Sequence, residues 1–438
     1  MQDDQLKRRD IYLERLIAFQ DQEPVKVITG IRRCGKSSLL KLMQKHLLEE
    51  GKTPEQIITM NFESFEFIDY DVRDFYQYVK ERILPGRRCY IFLDELQRLD
   101  GWETAVNAFR VDFDCDIYIT GSNAHLLSSE YATYLSGRSV EIRMLPLSFA
   151  EFLEFHDFRA IRRAMPDGSI RTEIRNTAEQ PYSARDLFDL YLRFGGMPVI
   201  HDLNLDQAMT ILDGIYSTVV MRDILEREKR KGERSISDPV LLRNIILFLA
   251  DNIGNSTSAR SVEHTLISEG LLRNRKTAPS VNTIQSYIMA LTSSYMFYDI
   301  RRFDIKGKEY LRTLGKYYIA DIGLRNNLLG IRNRDTGHVL ENIVYLELLK
   351  RGYQTAVGKI GDKEIDFVIT TAADKKYIQV TESMAEERTR ERELAPLMKI
   401  QDNYEKIILA MDPGLERDYN GIRVASLIEW LLDDGSVG

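Results

Sequence analysis

A glycine-rich segment near the N-terminus constrains the fold of this chain more than any other feature. Residues 30–37 read Gly-Ile-Arg-Arg-Cys-Gly-Lys-Ser. The β-branched run at 25–29 indicates a strand before this segment, and the periodic apolar residues after it predict a helix that stops at Gly51. A strand, this loop and a helix form the arrangement in which backbone N–H groups can wrap a phosphate.

Each fixed position of the loop has a physical reason. The glycines let the backbone approach a phosphate closely, Lys36 can reach the β and γ phosphates of a nucleotide, and the Ser37 hydroxyl can bind Mg²⁺. Arg32 and Arg33 are better explained as a solvated pair, and Cys34 as a small space-filling residue. The predicted phosphate-binding residues are Gly30, Ile31, Arg32, Arg33, Cys34, Gly35, Lys36, Ser37 and Ser38.

A pair of acids follows a second apolar run. Residues 90–93 are continuously apolar, which suits a buried parallel strand, and they are followed by Asp94 and Glu95. Asp94 at the carboxyl end of that strand can hold Mg²⁺, directly or through water. Glu95 can act as the general base toward an attacking water. The alternative interpretation is two exposed acids at a strand end.

Two more polar positions lie next to later strands. Ser122 follows the apolar run at 117–120 and is predicted to orient the water and sense the γ-phosphate, with Asn123 as the second choice. An ordinary loop turn is the alternative there. Arg138 precedes a fifth run, at 140–145, and would point away from its own phosphate loop. It would then act as an arginine finger in a neighbouring subunit, although a surface ion pair explains it equally well.

These motifs together resemble a known family. The segments GIRRCGKS, IFLDE, ITGSN and LSGRS, followed by LPLSFAEF, are similar to prokaryotic AAA+-type P-loop ATPases that carry a C-terminal domain of unknown function. LRFGGMPV, KYYIADIGL, EIDFVI and GIRVASLIEWLL extend the resemblance over nearly the whole chain. The resemblance implies that Lys36 and Ser37 contact phosphate and Mg²⁺, that Asp94 and Glu95 form the acidic pair, and that Arg138 acts in trans.

The pattern of elements predicts several domains. Strands alternate with helices at the N-terminal end, as in an α/β protein with a doubly wound parallel sheet. After Pro146 the strand signal weakens, and later segments resemble a winged helix and then a restriction-endonuclease-like fold. The predicted domains are 1–147 (AAA+-type ATPase), 148–235 (helical lid or connector), 236–330 (winged-helix-like) and 331–438 (small α/β, restriction-endonuclease-like).

Charge is distributed unevenly along the chain. With 60 Lys and Arg against 67 Asp and Glu, the net charge is −7, which excludes a uniformly basic nucleic-acid binder. Residues 259–312 nevertheless contain nine basic and five acidic residues, so duplex DNA is a predicted partner of this region, and a protein-interaction module is the alternative. The predicted base-reading residues are Asn282, Thr283, Gln285 and Ser286, and the predicted wing residues are Arg301, Arg302, Lys306 and Lys308.

The nuclease-like site of the last domain is incomplete. That fold needs an acid on a helix, an Asp, and a Glu-x-Lys on the next strand to hold Mg²⁺ and activate water. Glu341 and Asp366 fit the first two places, but Gln379 and Thr381 occupy the third. Residues 338–438 carry 13 basic and 19 acidic residues, a poor surface for a phosphate backbone. We therefore expect a structural or interaction remnant without nuclease activity.

The sequence predicts a switch that binds ATP, hydrolyses it to ADP and phosphate with Mg²⁺, and couples to DNA or to an unidentified protein partner. The alternatives are a nucleotide-gated regulator with negligible turnover and, disfavoured by Gln379 and Thr381, a DNA nuclease. Three unpaired cysteines and the lack of a long apolar run or secretion signal predict a cytoplasmic protein without membrane contact. Arg138 predicts a homo-oligomer, and Arg193 and Arg222 are candidates for a second sensor.

Overall fold

The computed structural model describes residues 6–122, 137–164, 170–200, 205–219, 224–225, 236–270, 279–310, 315–332, 335–371, 374–414 and 417–433. The chain forms two units. The first contains the residues up to Leu145 together with Ser293–Tyr295, and the second contains Pro146–Thr292 and the residues from Met296 onward. In the described ranges, no helix has the length and apolar character that crossing a bilayer requires.

A five-stranded parallel sheet is the centre of the first unit. Its strands are β1 (Val25–Thr29), β2 (Ile57–Asn61), β3 (Cys89–Asp94), β4 (Cys115–Gly121) and β5 (Ser139–Arg143), in the order β2-β3-β4-β1-β5. Its helices are α1 (Asp10–Ala18), α2 (Lys36–Glu49), α3 (Val72–Lys80) and α4 (Trp102–Asp112). The predicted parallel sheet is confirmed. Because all strands run the same way, the loops after β1, β3 and β4 leave one edge of the sheet.

A buried ion pair explains how a lysine can lie in the middle of this sheet. Lys26 on β1 pairs with Asp116 on β4, and neither side chain is more than 1% exposed. The Tyr118 hydroxyl donates to the same carboxylate at 2.8 Å. Burial lowers the pKa of Lys26. Because breaking a buried pair leaves an uncompensated charge, at a cost of about 3–5 kcal/mol, the pair favours the placement of β1 beside β4.

The predicted helical lid over 148–235 is helical only in part. It contains α5 (Phe149–Phe155), α6 (Ala184–Phe194) and α7 (Leu205–Thr218). Between α5 and α6 lies an antiparallel sheet of β6 (Arg159–Ala164), β7 (Ile170–Arg175) and β8 (Pro181–Tyr182). The prediction of a helical lid or connector was wrong over these three strands, because arginines and alanines occupy positions where a strand signal needs alternating apolar residues.

The next region forms three helices and two groups of strands. The helices are α8 (Pro239–Asp251), α9 (Ala259–Ser268) and α10 (Val281–Ser293), and the strands are β9 (Ser256–Thr257), β10 (Phe297–Ile300), β11 (Arg302–Asp304), β12 (Glu309–Tyr310) and β13 (Gly315–Ile319). A small antiparallel sheet has the order β10-β13-β9, whereas β11 and β12 belong to a separate sheet of eight strands. The predicted free wing is therefore wrong at Arg302, which lies 3.9 Å from Glu364 in that larger sheet.

The C-terminal part completes the eight-stranded mixed sheet. Its elements are α11 (Ile322–Leu329), α12 (Thr336–Lys350), β14 (Gln354–Ile360), β15 (Lys363–Thr370), β16 (Lys375–Ser383), α13 (Glu387–Met398), β17 (Glu405–Asp412), β18 (Asp418–Tyr419), β19 (Ile422–Ser426) and α14 (Leu427–Leu431). The strand order is β12-β11-β14-β15-β16-β17-β19-β18. Strands β14, β15 and β16 are antiparallel, while β16, β17 and β19 are parallel.

Candidate nucleotide-binding site

The loop between β1 and α2 has a backbone that only glycine accommodates at two positions. Gly30 has φ +144°, and a Cβ there would lie 2.1 Å from the carbonyl oxygen of Met144. Gly35 has φ +104° immediately before α2 begins. Both glycines belong to the predicted phosphate loop. Its tight path, together with the N–H groups at the start of α2, makes a concave set of donors suited to an anion.

The ammonium group of Lys36 lies inside this loop. Its Nζ donates hydrogen bonds to the carbonyl oxygens of Gly30 at 3.0 Å and Ile31 at 3.2 Å, and the residue is only 4% exposed. A buried cation at the positive end of a helix is costly unless anionic groups lie nearby. The residues present therefore fit a phosphate group.

The other loop side chains contribute little that could contact a ligand. Ile31 and Cys34 are fully buried, and burial raises the pKa of the Cys34 thiol, which favours the space-filling interpretation. Arg32 donates to Glu63 at 2.7 Å. Arg33 is exposed at φ +65°, and Ser38 is half-buried on α2. These residues can offer a phosphate their backbone N–H groups.

Asp94 lies at the end of β3 and is held by two hydroxyl groups. Thr120 Oγ1 donates to Asp94 Oδ1, and Ser37 also hydrogen-bonds to this carboxylate. Burial raises the pKa of Asp94, and the two hydrogen bonds partly offset that rise. The structure thus brings together the two residues predicted to hold Mg²⁺, a carboxylate and a hydroxyl, which are ligand types that Mg²⁺ accepts.

Glu95 is oriented differently from its neighbour. Its backbone has φ +54°, in the left-handed region, and its N–H donates to Thr120 Oγ1 at 3.0 Å. Its Oε2 accepts hydrogen bonds from Gln97 Nε2 and from Ser122 Oγ, the latter at 3.4 Å. Ser122, which was predicted, is 2% exposed just after β4. Thr120 and Gln97 were not predicted, and only the strand-end position of Thr120 could have indicated it.

Arg138 lies at the opposite edge of the sheet. Its carbonyl oxygen accepts the N–H of Val25 at 2.9 Å, at the amino end of β1, whereas the phosphate loop follows the carboxyl end of β1. The side chain is exposed. Arg138 is therefore not part of the site in its own chain. Asn123 and Arg222 lie outside the described residues, and Arg193 on α6 places its guanidinium 5.7 Å from the centre of the Phe194 ring.

The nuclease-like positions form a second buried cluster, with a lysine at its centre. Lys316 on β13 is 3% exposed, and its Nζ lies 3.2 Å from Glu341, 2.8 Å from Glu364 and 3.9 Å from Asp366. Burial alone would lower the pKa of Lys316, but the surrounding carboxylates raise it above its ordinary value. Burial and the Glu341 carboxylate raise the pKa of Asp366. Lys316 was not predicted as a member of this cluster.

Both polar atoms of the Gln379 side chain form hydrogen bonds within the same cluster. Its Oε1 accepts the N–H of Asp366 at 3.3 Å, and its Nε2 donates to Glu393 on α13 at 2.9 Å. Thr381 is 4% exposed. In the part of the chain that the structure describes, no group of three or more His, Cys, Asp or Glu side chains is arranged to hold a metal ion. The loss of nuclease activity stays a prediction.

Two family models and two relatives match this chain. An AAA domain family matches residues 22–153, and a domain of unknown function (DUF8612) matches residues 185–335. An uncharacterized protein of Haemophilus influenzae is 38% identical over 426 residues, covering 97% of this chain and 98% of that protein. An uncharacterized protein of Methanocaldococcus jannaschii is 30% identical over 409 residues, covering 90% of this chain and 83% of that protein.

Two solved structures share a more distant likeness. A Walker-type ATPase of Pyrococcus abyssi has a TM-score of 0.43 at 16% identity, covering 75% of this chain and 97% of that one. The ORC2 protein of Aeropyrum pernix has a TM-score of 0.36 at 13% identity, covering 78% and 92%. Neither likeness is close enough to inform the role of this chain. The relatives that match nearly its whole length show that the chain belongs to a family of AAA-type P-loop ATPases in which the ATPase domain precedes a domain of unknown function.

Proposed function

We propose that the chain is an AAA+-type switch that binds ATP with Mg²⁺ and hydrolyses it to ADP and phosphate. The observation that carries the proposal is the position of Thr120, whose hydroxyl contacts both the Asp94 carboxylate and the Glu95 backbone. Asp94 in turn hydrogen-bonds to Ser37 beside Lys36. The predicted phosphate loop, the predicted Mg²⁺ ligand Asp94 and the predicted general base Glu95 therefore lie at one edge of one sheet, which supports the proposal.

The residues divide the chemistry among them. Lys36 and the N-terminus of α2 would bind the β and γ phosphates and offset the charge that develops on them. Mg²⁺, when bound, would neutralise phosphate charge, and Ser37 and Asp94 are the residues that would hold it. Glu95 would accept a proton from the water that attacks the γ-phosphorus, while the bond to the leaving ADP oxygen breaks.

A second candidate function rests on the hydrogen bonds of Glu95. Gln97 and Ser122 both donate to Glu95 Oε2, so the general base is restrained in this conformation. Gln97 Oε1 is buried and has no hydrogen-bond partner within the described ranges, which costs roughly 1–3 kcal/mol. A movement of Gln97 would release Glu95 from one of its two hydrogen bonds. The restraint favours a nucleotide-gated regulator whose basal turnover is negligible until a partner binds.

Three substitutions test the catalytic proposal. Lys36→Ala should abolish nucleotide binding or turnover, and Glu95→Gln should keep nucleotide binding while stopping phosphate release. Lys41→Ala, which removes an exposed lysine from the same helix, is the matched control and should behave as the wild type. Nucleotide affinity and phosphate release are measured on the same preparations. Full ATPase activity in Lys36→Ala would contradict the proposal.

Two measurements separate the hydrolase from the gated regulator. Basal turnover is compared with and without duplex DNA on protein of known oligomeric state. A gated regulator should be stimulated, and Gln97→Ala should raise its basal turnover because Glu95 loses one restraint. If Gln97→Ala lowers basal turnover and DNA has no effect, the restraint is part of an ordinary hydrolytic site.

The region around α10 supports duplex DNA as a partner. Its three helices and small antiparallel sheet follow the order of a winged helix. Asn282 and Gln285 are exposed on α10, as a recognition helix requires, and Lys306 and Lys308 are exposed in the turn between β11 and β12 of the larger sheet. Asn282→Ala/Gln285→Ala should reduce discrimination between DNA sequences. Binding that is insensitive to salt, or no binding at low salt, would contradict DNA recognition here.

A further inference from the structure

The hairpin of β6 and β7 has a face on which arginines stand opposite arginines. In the antiparallel register Arg159 is opposite Arg175, and Arg163 is opposite Arg171. Side chains of alternate residues share one face of a hairpin, so these four arginines lie on the same side. Glu173, opposite Ile161, lies between the two pairs. We call this surface the arginine face.

The reverse face of the hairpin is fixed to the rest of its unit. Ile174 is fully buried, and the Thr172 hydroxyl donates to Glu429 on α14. Arg162 forms an ion pair with Asp433 just beyond that helix, at 2.5 Å. Because these contacts hold the ribbon from behind, the arginine face has a defined position and orientation.

The arginine face contains a repulsion that the fold only partly compensates. Like charges directly opposite each other destabilise an antiparallel pair. Glu173 lies 3.1 Å from Arg163 and 2.8 Å from Arg175, and Glu179 lies 3.4 Å from Arg175, so one arginine of each pair is offset by a carboxylate. Arg159 and Arg171 are exposed, and among the described residues neither has an ion-pair partner. Within the described residues of this unit, no carboxylate therefore neutralises the charges of Arg159 and Arg171.

We propose that the arginine face binds the phosphate backbone of duplex DNA without reading its sequence. Four residues along a strand span about 13 Å, and opposite residues lie about 5 Å apart, so the face is long enough for several phosphates. Duplex DNA carries one charge per ~1.7 Å of its axis, and arginine pairs with phosphate in bidentate geometry. This surface is separate from the residues of α10, and it requires neither nucleotide binding nor hydrolysis.

A charge-reversal experiment tests the proposal. Binding of a fluorescent duplex to the full chain is measured by anisotropy between 50 and 200 mM salt. Over this range the affinity of a protein that makes six to ten phosphate contacts falls by about 10³–10⁵-fold. Arg159→Glu/Arg171→Glu is compared with Arg185→Glu/Arg388→Glu. Both variants change the net charge equally, and the control arginines are exposed on α6 and α13. ATPase turnover and the unfolding midpoint confirm that each variant is folded.

The expected result is specific to the hairpin variant. Its affinity should fall at least about tenfold on two unrelated duplexes, and the slope of log K against log salt should lose about two units. The control should stay within about twofold of the wild type. Equal losses in both variants, no duplex binding by the wild type at low salt, or equal competition by an acidic polypeptide would overturn the proposal. A loss confined to Asn282→Ala/Gln285→Ala would overturn it while leaving DNA recognition by α10 intact.

Discussion

Thr120 decides the geometry of the acidic pair at the scale of single residues. It is fully buried on β4, its hydroxyl donates to Asp94, and the same oxygen accepts the N–H of Glu95. Glu95 has a left-handed backbone, which costs roughly 1–2 kcal/mol for a residue with a side chain. The contact with Thr120 helps to hold that conformation. In it, the adjacent carboxylates of Asp94 and Glu95 face different hydrogen-bond partners.

Thr120→Val should therefore slow hydrolysis more than it weakens nucleotide binding. Valine has nearly the same shape but leaves the Asp94 carboxylate and the Glu95 N–H without this partner. We expect turnover to fall about 10–100-fold, in the range of a misplaced general base, and the free energy of unfolding to fall by about 1–3 kcal/mol. Phosphate release, nucleotide affinity and denaturant unfolding measure the three effects.

Thr120→Ser is the matched control for this prediction. Serine keeps the hydroxyl and should retain most of the turnover, although it loses a buried methyl group. If the valine variant hydrolyses ATP as fast as the wild type, the hydroxyl has no part in positioning Glu95.

The sequence could predict some site residues and not others for a physical reason. Lys36 and Asp94 are recognisable because the loop spacing and the strand-end position are local features of the chain. Thr120 acts through contacts between β4 and the end of β3, and these strands are neighbours only once the sheet order is known. Gln97 lies in the single 3-10 turn Leu96–Arg98, and no sequence motif indicates that its side chain contacts Glu95. Residue types alone do not determine such pairings.

At the scale of elements, two segments of unknown role turn out to fit together. A Cβ on Gly195 would lie 2.4 Å from Asp321, and a Cβ on Gly323 would lie 1.8 Å from the carbonyl oxygen of Phe194. Asp321 caps α11 and also accepts the N–H of Gly196 at 2.6 Å. The glycine pair after α6 and the segment before α11 are therefore constrained by each other. The sequence identified both segments only as family signatures.

Asp321 should make stability depend on pH in an unusual direction. Burial raises its pKa from 3.8 to about 6, despite three backbone hydrogen bonds that lower it. The folded state therefore binds this proton more tightly than the unfolded chain, so its contribution to stability is present near pH 4 and declines as pH rises toward 6. The decline is about 3 kcal/mol. The free energy of unfolding of the wild type relative to Asp321→Asn should therefore decrease between pH 4 and pH 7. Thermal unfolding at several pH values measures this difference.

Asp304→Asn provides a control of opposite sign in the same unit. Backbone N–H groups of Gly307 and Lys306 lower the pKa of Asp304, so its contribution is lost as pH falls. Because the pKa of Asp304 is lowered from 3.8, that loss falls below about pH 4, and the stability of Asp304→Asn relative to the wild type should change little between pH 4 and pH 7. If Asp304→Asn follows the same trend as Asp321→Asn across that range, the assignment of the effect to Asp321 is wrong.

Lys316 should be essential to the stability of the C-terminal cluster. Lys316→Met would leave Glu341, Glu364 and Asp366 close together without a cation, and we expect a loss of about 3–5 kcal/mol. The loss should be smaller at lower pH because the raised pKa of Asp366 favours its neutral form, and Lys316→Met/Asp366→Asn should recover part of the loss. Unfolding curves at pH 5 and pH 8 measure the effect, with exposed Lys306→Met as control.

The same cluster bears on nuclease activity. Lys316 and Gln379 occupy the space around Asp366 with protein groups, so the purified wild type should not cleave DNA with Mg²⁺. Magnesium-dependent cleavage that disappears in Asp366→Ala would show that the prediction of an inactive remnant was wrong.

At the scale of the whole molecule, the regular alternation of strands and helices could be predicted from the sequence. The pairing of strands that are distant in the sequence could not. The five-strand parallel sheet was predictable because β3 and β4 contain buried apolar runs and because strands alternate with helices along this part of the chain. The hairpin of β6 (Arg159–Ala164) and β7 (Ile170–Arg175) was missed because its arginines interrupt the alternation of apolar residues that indicates a strand. The strand at Arg302–Asp304 was assigned to a wing, but it pairs with Gln354–Ile360, a partner about 50 residues away. The net charge of −7 likewise gives no indication of the arginine face, because it averages the charges of the whole chain.

Arg138 allows a test of assembly that no single variant provides. It is exposed at the edge of the sheet away from its own phosphate loop, so a catalytic role requires a second chain. Lys36→Ala and Arg138→Ala should each be inactive alone, but a mixture should recover activity, because a site with an intact Lys36 can then face an intact Arg138. With random assembly of equal amounts in a ring, about one quarter of the sites are complete. Phosphate release after mixing should therefore reach about one quarter of the wild-type rate. Wild-type activity in Arg138→Ala alone would instead identify this arginine as a surface charge, and an inactive mixture would exclude its action in trans.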